Sequence, residues 1–235
     1  MVPNNRRNGF TLVEMLVVVG IIGILAAILF PTLSTAQSRS RATTCRNHLA
    51  QMGKALSMYE SDNTYYPGAG DPALVSNMNV APSLDSWRSQ LEKYVSGSKH
   101  VFTCPDYEAP VYGTNVSDSF GYNAVGTDVL WATNHWGLGN GKGDFVRASE
   151  VQSPAEMVAL GDLQLPPSVW INVISPRLDI QMGGQKSLIP ERHSGGANMV
   201  FCDGHVEWAR QPLWVGKESA QRSRWNKDHN PHFGD

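Results

Sequence analysis

From Phe10 to Phe30 the chain reads FTLVEMLVVVGIIGILAAILF, a run whose only charged residue is Glu14. No other segment constrains the fold as strongly. As an α-helix rising 1.5 Å per residue, the run spans about 31 Å, close to the hydrocarbon thickness of a bilayer. The competing soluble reading is a buried core helix, but a helix apolar on every side suits lipid or a large core better. The expectation is a membrane-spanning helix over 10–31.

A secretory signal peptide is the rival reading. Arg6 and Arg7 supply a basic start, reminiscent of a twin-arginine signal, and Ser34-Thr35-Ala36 offers small residues for cleavage. Against it, the run exceeds the 7–15 residues usual for a signal core. Glu14 also lies inside it, where a carboxylate is costly and serves no purpose in a disposable segment.

The stretch Arg6-Arg7-Asn8-Gly9-Phe10-Thr11-Leu12-Val13-Glu14 resembles the prepilin processing site of type IV pilins and type II secretion pseudopilins. Pro31 falls where many pilins carry a helix proline. The resemblance implies a leader over residues 1–9, cut between Gly9 and Phe10 by a prepilin peptidase, with N-methylation of Phe10. It implies an assembly role for Glu14, the fifth residue after the cut. It also implies insertion in the inner (cytoplasmic) membrane, with the body on the periplasmic or extracellular side. The partners would be the peptidase/methylase and other pilin-like subunits. Arg39, Arg41 and Arg46 after the span outnumber Arg6 and Arg7 before it, so the positive-inside rule alone would place the body in the cytoplasm. The processing signature overrides it here.

The chemistry of these positions is legible without the family. A small glycine leaves the scissile bond accessible, and Glu14 in hydrocarbon requires a cation or polar partner, such as a neighbouring subunit's N-terminal amine. Gly20, Gly23 and Ala27 form a small-residue stripe that would let helices approach, although small residues are common in membrane helices generally. Pro31 is expected to bend or open the helix rather than end it.

Residues 32–61 read as an amphipathic continuation, with Leu49, Met52, Leu56 and Tyr59 on one face and Arg46, Gln51, Lys54 and Glu60 on the other. The body, residues 62–235, holds most of the 22 glycines and 14 prolines, which points to a loop-rich, β-leaning domain. The fold class expected is α+β, a long helix laid on a small antiparallel sheet. Strand candidates are His100–Thr103, Met157–Leu160 and Val169–Ile174, with a short helix from Trp87 to Tyr94 and loops from Gly113 to Gly143. Asp203-Gly204 predicts a hairpin over 197–208. As a two-residue turn it would set Phe201 opposite Val206 and Met199 opposite Trp208, giving one apolar patch for the long helix or sheet.

His193, followed after nine residues by Asp203-Gly204, resembles the H-X9-DG motif near the C-terminus of many prepilin-type proteins. Such proteins also carry a helix cysteine and a later Cys-Pro, matched by Cys45 and Cys104-Pro105. The motif implies no chemistry of its own. Export favours oxidation, and a Cys45–Cys104 bridge would tie helix to head. Two unpaired thiols, or a pairing with Cys202, are the alternatives.

Other activities find little in the sequence. His193, Cys202, Asp203 and His205 are ligand types close in sequence, but turn chemistry already accounts for Asp203-Gly204, and His193 could simply cap a loop. Calcium could be held by Asp162, Asp179 and Asp203, without the dense acidic spacing of a loop-type site. Neither a Gly-x-Ser-x-Gly nor a His-Glu-x-x-His motif appears, so no enzyme and no cofactor are expected. A net charge of −2 argues against specific nucleic-acid binding. The alternative function is a pilin-anchored surface module binding glycan or DNA through Trp131, Trp136 and Trp170, although buried core tryptophans would satisfy the same pattern.

Overall fold

A computed structural model describes residues 11–68, 87–95, 99–107, 119–127, 136–139, 145–164, 174–176 and 189–232. The chain divides into two compact units, Met1–Ser40 and Arg41–Asp235. Gly9, Phe10, Trp131, Trp170, Asp179 and most of the strand expected at Val169–Ile174 lie outside the described residues.

Helix α1 (Leu12–Asn63) begins in the first unit and continues into the second, and it is long and apolar enough to cross a membrane. Its side chains from Leu12 to Leu33 are almost all exposed. The helix runs through Pro31, as the sequence predicts. Pro31 withholds a backbone donor, while the hydroxyls of Thr32 and Thr35 donate to the carbonyls of Leu29 and Pro31.

The second unit is α+β, built on an antiparallel sheet of order β1 (Phe120–Tyr122), β2 (Val158–Asp162), β3 (Gly196–Phe201) and β4 (Val206–Arg210). The C-terminal part of α1 buries Cys45, Leu49, Met52, Leu56 and Tyr59, which include the stripe legible in the sequence. They share one core with Phe120, Tyr122, Leu160, Val200 and Cys202. A second core on the other face joins Val158, Ala197, Met199 and Phe201 to Trp214, Val215 and Trp225. Strand β3 is buried throughout because it is covered on both faces. The register shifts between Val158, opposite Phe201, and Leu160, opposite Val200. This bulge lets two residues of equal parity serve opposite cores. Short helices α2 (Trp87–Glu92), α3 (Gln211–Val215) and α4 (Ser219–Ser223) complete the unit.

Three expectations are corrected. His100–Thr103 is no strand: Lys99–Phe102 forms a 3-10 turn, whose following Thr103 carbonyl accepts a hydrogen bond from His48 Nδ1 on α1 (2.8 Å). Strand β1 lies within the stretch read as loops.

The hairpin is real, but its register is shifted by one residue. Val200 faces Val206, Met199 faces Glu207, and Asn198 faces Trp208. The turn has three residues, Cys202 to Gly204, with Gly204 at φ +89° and its N–H bonded to the Phe201 carbonyl. A type I turn closed by a left-handed glycine gives this geometry. The proposed patch therefore splits. Met199 and Phe201 face the C-terminal segment, Val200 and Val206 face the core shared with α1, and Trp208 is 41% exposed.

This reassigns the tryptophan that matters. Trp214 is buried and its indole N–H lies 3.1 Å from both the Ala197 and Ala209 carbonyls. Trp214→Ala should cost about 3–5 kcal/mol, and Trp208→Ala, which loses one part-buried hydrogen bond to the His193 carbonyl, about 1–2 kcal/mol. Thermal unfolding of both variants of the full chain in detergent, followed by near-UV circular dichroism, checks the order. Equal losses would contradict the observed register.

Candidate functional site

At the start of α1, the Glu14 carboxylate accepts hydrogen bonds from the Thr11 backbone N–H (2.8 Å) and hydroxyl (2.7 Å). The Glu14 N–H in turn lies 3.3 Å from Thr11 Oγ1. Threonine followed three residues later by glutamate is a capping box, which satisfies donors that the first helical turn leaves unpaired. Glu14 thus has a local partner that sequence reasoning missed, although Thr-x-x-Glu is legible at Thr11 to Glu14. A charge in this span is therefore not by itself a sign of a partner subunit.

In the second unit the disulfide Cys45–Cys104 joins α1 to the segment after the 3-10 turn, with a Cα–Cα distance of 4.9 Å. Cys202 is a free, buried cysteine. Burial pushes its thiol well above the ordinary thiol range, so it stays protonated and unreactive.

His193 lies against the disulfide. Its backbone is held by its own N–H on the Gly196 carbonyl and by the Trp208 indole on the His193 carbonyl. Ser194 and Gly195, both at positive φ, turn the chain into β3. The side chain, 3% exposed, sets Nε2 at 3.6 Å from Cys104 Sγ and 3.5 Å from Asp162 Oδ2, with Nδ1 at 3.4 Å from Asp106 Oδ2. Asp162 is fully buried at the end of β2, where its Oδ2 accepts from the Asn198 N–H and side-chain amide. Asp162 Oδ1 and His193 Nδ1 make no hydrogen bond among the described residues.

Arg192 lies beside this cluster, over the Tyr107 ring and donating to the Leu163 carbonyl (2.7 Å). Burial pulls its pKa below the ordinary value, while Asp162, Tyr107 and Asp106 oppose that shift. Arg41 on α1 pairs with Asp106.

The rest of the H-X9-DG resemblance has a structural explanation here. The Asp203 carboxylate accepts from the His205 N–H (3.1 Å) and contacts the His205 ring, which organises the hairpin turn. Gly204 packs on α1: a Cβ at Gly53 would stand 2.5 Å from the Gly204 carbonyl oxygen, and one at Gly204 would stand 3.1 Å from that of Gly53. His193 and Gly204 therefore bring opposite ends of the hairpin to the same helix.

The zinc set read from sequence is dispersed. Asp203 and His205 pair with each other at the surface, Cys202 is buried beside Tyr66, and His193 faces Cys104. Of the calcium candidates, Asp162 and Asp203 sit at opposite ends of the β2–β3 pairing, roughly four residues or about 13 Å apart, and do not share a site. Trp136 stacks on His232 rather than standing free. The sequence did not reveal Asp106 or Arg192 as neighbours of His193, or Asn198 as the partner of Asp162. Only the adjacency of Arg192 offered a signal.

The family described as the Prokaryotic N-terminal methylation motif matches residues 4–30. Type II secretion system core protein G of Pseudomonas aeruginosa is 36% identical over 84 residues, covering 35% of this chain and 59% of that protein. The Type IV wide pilus major component PilA4 of Thermus thermophilus is 43% identical over 71 residues, 30% of this chain and 53% of its own length. Type II secretion system core protein G of Dickeya chrysanthemi is 27% identical over 144 residues, 58% of this chain and 90% of that protein. No solved structure matches. The chain thus carries the methylation motif and is related to these proteins, while spanning a little over half the length of the first two.

Proposed function

We propose that the chain is a structural subunit, or a minor component, of a type II secretion pseudopilus-like or type IV pilus-like assembly. The observation that carries this reading is the methylation motif over residues 4–30 running directly into an apolar, surface-exposed helix. Its relatives are named as secretion core proteins and pilins rather than as enzymes. Prepilin peptidase and its methylase would be the processing partners, other pilin-like subunits the assembly partners, and the cytoplasmic membrane the site of insertion. The head would stand on the periplasmic or extracellular side, an environment that suits the Cys45–Cys104 disulfide.

The exposed apolar side chains from Leu12 to Leu33 support the anchoring step physically, since burying them in lipid or among neighbouring helices removes a large apolar area from water. Processing is tested on chain purified from its own membranes. N-terminal peptide mass analysis should find methylated Phe10 first. A mature start at Gln37 would identify a cleaved signal peptide and overturn the proposal.

A further inference from the structure

We propose that, with Cys45 and Cys104 reduced, the chain holds one zinc ion between the two thiolates and His193 Nε2, and that oxidation to the disulfide expels it. The inference does not depend on the assembly role.

Geometry comes first. Cys45 Sγ, Cys104 Sγ and a His193 ring nitrogen all lie within 4.8 Å of one another. Ligands at ordinary zinc distances in a tetrahedron stand about 3.3–3.8 Å from one another. The observed separation of His193 Nε2 from Cys104 Sγ, 3.6 Å, falls in that range before any rearrangement. Reduction breaks the sulfur–sulfur bond and lets the two sulfurs part to the roughly 3.8 Å of thiolates sharing a zinc.

The surroundings also suit the ion. A metal-bound histidine usually directs its other ring nitrogen at a carboxylate, which fixes the tautomer and raises ligand basicity. Asp106 Oδ2 stands 3.4 Å from His193 Nδ1 in that position. Asp162 already uses Oδ2 to accept two hydrogen bonds from Asn198, while its buried Oδ1 has no hydrogen-bond partner among the described residues. An unpartnered buried carboxylate oxygen is costly, and a cation held on the neighbouring His193 lowers that cost. Two thiolates balance the charge of Zn²⁺, and a water would complete the tetrahedron.

The conversion balances. A disulfide oxidant takes two electrons from the two zinc-bound thiolates, leaves as two thiolates of its own, and releases Zn²⁺ as Cys45–Cys104 closes. The zinc form would thus hold both sulfurs beside one another until an oxidant closes the bridge.

The test uses the full chain in detergent, reduced with a phosphine that adds no competing thiol. Cobalt titration of the reduced chain should give one equivalent with tetrahedral visible bands and thiolate-to-cobalt absorption; the oxidised chain should give none. Cys202→Ser should titrate as the parent does. His193→Ala should bind at least about tenfold more weakly, and Asp106→Asn about tenfold. Closure of the Cys45–Cys104 bond on reoxidation checks that each variant is folded. Zinc-loaded chain treated with a small disulfide should release one zinc per bridge formed, read by a chromogenic chelator. The proposal is overturned if reduced parent shows no tetrahedral cobalt spectrum, if Cys202→Ser abolishes it, if refoldable His193→Ala binds as tightly as the parent, or if bridge formation releases no zinc.

Discussion

A chain carrying both Cys45→Ser and Cys104→Ser should lose roughly 4 kcal/mol of stability in its second unit. The bridge closes a loop with a sequence separation of 59, and in the chain-entropy account such a cross-link restricts the unfolded ensemble by about that amount. Two effects in the folded state act in the same direction. Both cysteines are fully buried, so each serine hydroxyl must find a partner or remain unsatisfied. The cross-link also ties α1 down about two turns from the point where Gly53 and Gly204 meet backbone to backbone. For a unit of this size, 1 kcal/mol corresponds to roughly 2–4 °C, so the melting temperature should fall by about 8–16 °C. Thermal unfolding of the oxidised parent and the variant, each as full chain in detergent, measures this directly. A shift of only a degree or two would mean that packing between α1 and the sheet already restrains the unfolded chain or dominates the fold.

Glu14→Val should insert and be cut between Gly9 and Phe10, yet enter assemblies at least about tenfold less well than the parent. An acidic residue in a membrane span costs about 2.5–3.5 kcal/mol at its centre and less toward the end, where Glu14 lies. The capping box offsets part of that cost, because a cap contributes about 0.5–2 kcal/mol. Its contact with Thr11 thus supplies a rival explanation for the carboxylate. The two explanations separate in a second variant. Thr11→Val removes the hydroxyl but keeps the charge available to a neighbouring subunit's Phe10 amine, so it should assemble nearly as well as the parent. In-membrane crosslinking of the parent and both variants reads the outcome. If Thr11→Val fails as badly as Glu14→Val, helix capping is the role of this pair, and the register role of the charge is lost.

What was readable in the sequence was whatever depends on near neighbours along the chain. A charge-poor run of membrane length, a processing signature nine residues long, and the stripe Leu49, Met52, Leu56, Tyr59 are all local patterns, and periodicity is enough to read them. Asp203-Gly204 marked a hairpin on the same grounds. Its register was not local. Gly204 can close either a two-residue turn or, as a left-handed bulge residue, a three-residue one. The observed choice sends Val200 and Val206 toward α1, turns Met199 and Phe201 to the segment holding Trp214 and Trp225, and seats Gly204 on Gly53.

The same distinction governs the site. His193 and Asp203-Gly204 stood out as a motif, but the spacing contained nothing about Cys104, 89 residues away, or about Asp106 and Asp162. Those neighbours are assembled by β2 pairing with β3 and by the disulfide to α1, both long-range contacts. The sequence by itself determined the apolar run of membrane length, the methylation motif and which face of α1 is apolar, because each is written in residues a few positions apart. The hairpin register, the second core and the surroundings of His193 were decided only when the sheet was covered on both faces, because only then did burial distinguish arrangements that local propensity leaves equivalent.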